Sequence, residues 1–270
     1  MHDPRLSAVR TDLARIQRLR DLFLFECHCQ VRYNACHERG WSDSYILACD
    51  GQEVGYGAVK GDEPAGPRDT VFEFYVVPPY RRHEGALFRE LLSASGSTRL
   101  ECQSNDPLLA PMLFEFCHGI RSDVVLFESR ICPSVREPGT EAATRSPATA
   151  VTGPSGAVFR RRRGDDDLFP HDVEPTGDFV VQLEGAVVAT GGFLLHYNPP
   201  FADLYMEVEP SHRRRGIGAW LVHCLMTECY LAGRVPAARC NLSNAASRST
   251  LTRAGMRTCG CMLVGEVRRD

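Results

Sequence analysis

Along the second half of the chain, apolar positions change period in a regular succession. Residues 179–183 and 186–195 are two apolar-rich runs on either side of Glu184-Gly185, which reads as a hairpin closed by a tight turn. From 203 to 209 the pattern alternates: Leu204, Met206 and Val208 make one apolar face, and Asp203, Tyr205, Glu207 and Glu209 the other. After the stretch Arg213-Arg214-Arg215-Gly216-Ile217-Gly218-Ala219 the period becomes helical. Val222, Leu225, Met226 and Cys229 share one stripe, with Gly233 as a stop and Pro236 beyond it. A short apolar run at 237–242 follows, then a helix at 245–254 capped by Ser243-Asn244 and stopped by Gly255, and a last strand at 261–267. The order is three strands, a glycine loop, helix, strand, helix, strand.

The first half repeats this layout. Runs 45–49 and 53–60 flank Asp50-Gly51, 71–77 ends in Pro78-Pro79, and Arg82-x-x-Gly85-x-Leu87 opens an apolar helix at 86–92. Runs 98–103 and 107–116 match the later strand and helix. A leading helix is expected from Leu13 to about His37, with Ile16, Leu19, Phe23 and Cys27 near one face. Between the halves, 134–156 is rich in Pro, Gly, Ser, Thr and Ala and nearly lacks large apolar residues, so it can bury little. The expectation is an α/β (α+β) chain of two domains, 1–133 and 157–270, joined by a linker at 134–156, each a mixed, mostly antiparallel sheet flanked by helices.

The stretch from Leu204 to Trp220 carries the candidate chemistry. A strand feeding a glycine loop that opens a helix suits a phosphate. The free N–H groups of the first turn point outward, the helix dipole adds partial positive charge, and the glycines let backbone approach closely. Arg213, Arg214 and Arg215 add charge-assisted donors. The plainer reading is a connection whose glycines serve only the turn. Neither G-x-x-x-x-G-K-[ST] nor a G-x-G-x-x-G at the start of a parallel sheet is present.

Val208-x-Pro210 ending a strand, Arg213-x-x-Gly216-x-Gly218 after it, and Asn244 followed by Gly255-Met256 resemble the GNAT superfamily of acyl-CoA-dependent N-acyltransferases, over roughly 157–267. With the repeat in the first half, the chain resembles a tandem GNAT protein. The resemblance implies two GNAT-like domains and acetyl-CoA as co-substrate, contacted by Val208, Arg213, Arg214, Arg215, Gly216, Ile217, Gly218, Ala219 and Asn244. It places the pyrophosphate on the loop amides and the pantetheine arm in a cleft where the fourth and fifth strands splay apart. Both halves are short for that plan: the family fits two helices before the hairpin and two strands after Gly255. Each half is therefore expected to complete the other. Aligning Pro79 with Pro210 puts Arg82 on Arg213 and Gly85 on Gly216, but Leu87 on Gly218, with Glu84 placed to repel a diphosphate. The first domain is expected to be degenerate and not to bind the co-substrate.

An amine must lose a proton before it attacks a thioester, so a base is useful. Two carboxylates on the non-core face of one strand, Glu207 and Glu209, are the candidates. The family places a glutamate on this strand, in some members at the position of Glu209; the alternative is that Glu209 pairs with the loop arginines. The family's tyrosine acid is replaced by Leu251, so the thiolate is protonated by solvent or by another residue such as Tyr205, or the chemistry differs. His196, Tyr197 and Asp203 are expected to border the acceptor. Asn244 reads equally as a helix N-cap.

A net charge of −3 implies no general affinity for nucleic acid. There is no apolar run long enough for a membrane span, and the N-terminus lacks the apolar core of a signal peptide. The expectation is a cytoplasmic monomer or homodimer. The 12 cysteines lack paired C-x-x-C spacing and mostly sit in apolar runs, so they read as buried thiols with no metal. Three functions remain in view: acetyl transfer to a small amine or amino-acid-like acceptor, transfer from another acyl-CoA, and a non-catalytic acyl-CoA-binding or scaffold role.

Overall fold

The computed structural model describes residues 3–61, 63, 66–129, 151–153, 156–172, 175–195 and 198–268. The chain forms two compact units, Met1–Val124 with Gly260–Asp270, and Val125–Cys259. Most of the expected linker, 134–156, lies outside the described residues.

In chain order the first unit contains β1 (Leu6–Thr11), α1 (Leu13–Glu26), α2 (Asn34–Glu38), β2 (Ser42–Cys49), β3 (Gln52–Lys60), β4 (Thr70–Val76), α3 (Glu84–Ser95), β5 (Arg99–Gln103), α4 (Leu109–Phe116) and the start of β6 (Cys117–Ser129). The second holds the rest of β6, then β7 (Val151–Thr152), β8 (Val158–Arg161), β9 (Phe179–Leu183), β10 (Ala186–Leu194), β11 (Phe201–Val208), α5 (Ile217–Leu231), β12 (Val235–Asn241), α6 (Ala245–Arg253) and the first residues of β13 (Met256–Val267). The remaining residues of β13 belong to the first unit.

In the first unit β1 to β4 pair antiparallel in sequence order, and β5 adds parallel to β4. Met262–Glu266 of β13 then adds antiparallel to β5. Asp50 and Gly51 join β2 to β3 with φ of 51° and 80°, the left-handed pair that a two-residue hairpin turn needs. The core gathers Ile16, Tyr56, Phe74, Tyr75, Phe88 and Leu113, among others.

The helix expected from Leu13 to about His37 is two helices, with an irregular segment at 27–33 between them. Arg32 accounts for the break. Its guanidinium donates to the carbonyls of Leu24 (2.8 Å) in the last turn of α1, of Cys27 (3.2 Å) at its C-cap and of Cys29 (3.4 Å) beyond it, so these carbonyls are satisfied from off the helix. Beneath α1, the buried Glu73 carboxylate accepts from Arg20 (3.0 Å) and Tyr56 (2.9 Å) and bonds His37 (2.9 Å).

In the second unit the strands lie in the order β6, β12, β11, β10, β9, β8, β7. β11 and β12 are parallel, and the pairs from β11 to β7 are antiparallel. Glu184 and Gly185, with φ of 51° and 89°, repeat the turn of the first unit. The stripe Val222, Leu225, Met226 and Cys229 on α5 is buried. It divides between a cluster with β8–β10 through Leu225 and a cluster with β12 and α6 through Val222 and Met226. Among the described residues no helix is long and apolar enough to cross a membrane.

Candidate active site

β11 ends at Val208, and a 3-10 turn, Pro210–His212, leads into the loop. Arg213 donates to the Val208 carbonyl (2.9 Å), which fixes the loop's first residue to the strand end. Arg214 and Gly216 are left-handed, φ 64° and 82°, and these two reversals turn the chain into α5. Gly216 is the N-cap of α5 and no side chain caps the helix, so the amides of Ile217, Gly218 and Ala219 have no acceptor within the helix. A Cβ at Gly216 would meet nothing within 4 Å, which leaves the approach to those amides open. At Gly218 a Cβ would sit 3.3 Å from both Val208 Cγ2 and Thr250 Cγ2, so that glycine serves the close packing of α5 on β11. Among the described residues Arg214 and Arg215 have no hydrogen-bond partner (both are exposed) and supply positive charge beside the amides.

β11 and β12 pair at Phe201–Val235, Ala202–Pro236 and Asp203–Ala237, and then separate. From Leu204 to Val208, β11 therefore has no ladder partner on the β12 side among the described residues. This open edge leads straight to the loop, and an extended amide-bearing arm can pair with it.

The two faces of β11 differ. Met206 shares its face with Gly191 and Phe179, where Leu225 of α5 packs. Asp203, Tyr205 and Glu207 lie on the opposite face, with Thr190 and Gly192 of β10 beside them. Asp203 is buried and bonds Arg239 (3.1 Å) and Asn198 (3.4 Å); burial raises its pKa against the pull of Arg239. Tyr205 lies across Gly192, where a Cβ would be 2.6 Å from its hydroxyl oxygen, so a larger residue there would displace the tyrosine ring. Its pKa is raised, by burial first and by the Asp178 charge second, against Arg162.

Glu207 accepts from the backbone N–H of Asp172 (3.2 and 3.4 Å). Glu209 is bound to Ser211 and to His212 (2.6 Å), and these two partners, Ser211 first, hold its pKa below the usual carboxylate range. No loop arginine pairs with Glu209 among the described residues. Asn244 caps α6, accepting from Ser247 N–H (2.9 Å). His196 and Tyr197 lie outside the described residues.

Residues 151–256 match the acetyltransferase (GNAT) family. Solved structures share the fold over nearly the whole chain. An acetyltransferase of the GNAT family from Colwellia psychrerythraea superposes with a TM-score of 0.65 at 11% identity, covering 98% of this chain and 100% of its own. A GCN5-related N-acetyltransferase from Sphaerobacter thermophilus gives 0.54 at 15%, covering 100% and 98%. A tandem GNAT protein from the clavulanic acid biosynthesis pathway, without AcCoA, gives 0.54 at 13%, covering 98% and 100%. No curated protein matches the chain. The fold is that of GNAT acetyltransferases, consistent with two GNAT-like domains.

The corresponding place in the first GNAT-like unit is built differently. The 3-10 turn Pro78–His83 runs directly into α3, and the Glu84 N–H donates back to the Arg81 carbonyl. None of Pro78 to Leu87 is left-handed. Leu87, in the place of Gly218, is fully buried. β4 and β5 also pair only at Thr70–Arg99 and Val71–Leu100, but the gap beyond is crossed by segment 27–33. The Gln103 side chain accepts from Val31 N–H (3.0 Å) and donates to Val31 O (2.8 Å), in the manner of a strand partner. Tyr33 packs on Phe72 of β4 at 4.9 Å between ring centres and bonds Glu101 of β5.

Sequence reasoning missed two things here, the filled gap in the first unit and His171, whose Nε2 lies 2.7 Å from Thr190 Oγ1. The signal for the second was present. Phe169-Pro170-His171 is an aromatic cluster in the short stretch before the β9–β10 hairpin.

Proposed function

We propose that the protein is an acetyl-CoA-dependent N-acetyltransferase acting on a small-molecule amine, with its one working site in the second unit. The uncapped N-terminus of α5, set beside the open edge of β11, carries this reading. The residues there fit acetyl-CoA. The amides of Ile217, Gly218 and Ala219, flanked by Arg214 and Arg215, would hold the diphosphate. The edge Leu204–Val208 would pair with the pantetheine amides. When bound, acetyl-CoA supplies an acyl group activated as a thioester.

The acceptor then approaches from the face of β11 not packed under α5. Glu207 gives that face negative charge, which draws an ammonium group, while the Asp203 charge is paired with Arg239. Of the two glutamates, Glu207 stands beside an incoming amine. Glu209, tied to Ser211 and His212, serves the turn at the strand's end. Tyr205, lying across Gly192 on the same face, would border the acceptor.

Calorimetric titration with acetyl-CoA tests the reading, followed by an assay of free CoA thiol in the presence of primary amines, amino acids included. One site per chain and amine-dependent thiol release are expected. A folded protein that binds acetyl-CoA and releases no thiol with any amine would favour a binding or scaffold role.

A further inference from the structure

Between β8 and β9 the described residues 162–172 and 175–178 run without regular structure, and His171 and Asp172 reach the acceptor face of the second unit at Thr190 and Glu207. Arg160 anchors this segment at one end through Asp166 (2.5 and 2.9 Å). Arg162 bonds Thr176 (2.9 Å) near the other. Midway, the His171 ring stacks on Phe169, with centres 4.3 Å apart and planes at 20°. Its Nε2 is held by Thr190 Oγ1 at 2.7 Å, and Thr190 is 1% exposed. The next residue, Asp172, gives its N–H to Glu207, the direct ladder partner of Thr190. The imidazole is thus fixed at one nitrogen, along one face and through its neighbouring peptide, yet it is only partly buried. Nδ1 has no hydrogen-bond partner among the described residues. Both strand carboxylates expected to act as base are already engaged, Glu207 by Asp172 N–H and Glu209 by Ser211 and His212.

We propose that His171 is the catalytic proton acceptor for the incoming amine and that Glu207 is the positioning residue that holds it over the acceptor face. The assignment rests on the acetyltransferase reading above. With Nε2–H donating to Thr190, Nδ1 keeps its lone pair and takes one proton from the acceptor's ammonium group. The amine's freed electron pair forms the C–N bond as the C–S bond breaks. A second proton leaves the nitrogen as the amide forms and ends on the departing sulfur. The proton on Nδ1 passes to solvent and restores the histidine.

The test compares wild type with His171→Gln, Thr190→Val and Glu207→Gln by acetyl-CoA titration, by steady-state CoA release with primary amines, and by the side-chain 15N resonances of His171. His171→Gln should lower kcat by about 100-fold or more, the usual scale of a lost general base, with acetyl-CoA affinity within about twofold of wild type. Glu207→Gln should lower kcat less, and Thr190→Val should lose the Nε2–H tautomer that the wild type shows. Wild-type turnover with an undiminished kcat in His171→Gln would overturn the role of His171 and leave the acetyltransferase reading standing. Resonances showing the Nδ1–H tautomer in the wild type would also overturn it. Acetyl-CoA binding without thiol release from any amine would overturn the acetyltransferase reading itself, and this assignment with it.

Discussion

The chain uses one plan twice, and the two copies part at the strand end that leads into a helix. In the second unit two left-handed residues, Arg214 and Gly216, break the 3-10 turn before α5 and leave the first amides of the helix open. In the first unit the 3-10 turn continues into α3, and an amide that could face a phosphate is spent on the Arg81 carbonyl. The parallel strands separate after two or three pairs in both units. In one the gap borders an open edge; in the other segment 27–33 fills it with Val31 and Tyr33. A ligand site can therefore be lost without loss of the fold: the same splay, once filled by the protein's own backbone, becomes core.

Truncation should break the comparison most severely. Removing Gly260–Asp270 strips β5 of its antiparallel partner and takes away the bonds from Cys261, Val267 and Arg268 to Ser104, Thr98 and Phe116. The first unit should lose its cooperative unfolding transition in thermal melts, because the new edge cuts into its sheet.

Next in size is the charge buried in the first unit. Glu73 falls on Leu204 in the alignment of Pro79 with Pro210, so the first unit keeps a buried carboxylate where the second is apolar. Burial alone would raise the Glu73 pKa, but His37 and Arg20 hold it down at about 2. A depressed carboxylate stabilises the fold fully above its unfolded value near 4, and that contribution is lost as pH falls through about 2. Glu73→Gln should cost about 3–5 kcal/mol at pH 7, since it leaves the Arg20 charge buried without its counter-ion, with the neutral Asn34 side chain still bonded to it. In urea melts the gap from wild type should close as pH drops from 4 towards 2.

Gly218→Leu would give the second unit the residue of the first. Its Cβ would press on Val208 and Thr250, and acetyl-CoA should bind about 100-fold more weakly in calorimetry, about 2.7 kcal/mol, with the circular dichroism spectrum kept. The smallest change is Gln103→Ala, which removes the two bonds to Val31 at a cost of about 1–2 kcal/mol. It should leave the stoichiometry at one acetyl-CoA per chain, because the α3 end offers no open loop; a second site would show that the filled gap alone had silenced the first unit.

What the sequence made legible was local. Asp50-Gly51 and Glu184-Gly185 announce their turns because only a few residue types accept two successive positive φ angles. The stripe on α5 and the alternation on β11 give their faces directly. The glycine loop pointed to the α5 N-terminus, and Glu84 and Leu87 marked the first unit as different. What stayed hidden depends on partners distant in sequence. The break after α1 is made by Arg32 folding back on carbonyls, and nothing in the apolar period marks it. Val31 meets Gln103 from 72 positions away. The strand expected at 261–267 begins at Met256, and the membership of its residues from Gly260 onward in the first unit follows from pairing with β5. His171 lies in a stretch without periodicity, so only the contacts with Thr190 and Phe169 single it out.

The borrowing of Gly260–Asp270 by the first unit has a consequence for synthesis on the ribosome. Residues up to Val124 leave the exit tunnel long before the segment that pairs with β5. At roughly 5–20 residues per second, the wait is about 7–30 s. During that interval the nascent chain carries a bare strand edge, a template for pairing with other chains. The order of folding is then inverted relative to the order of translation: the part made first is the last to be finished.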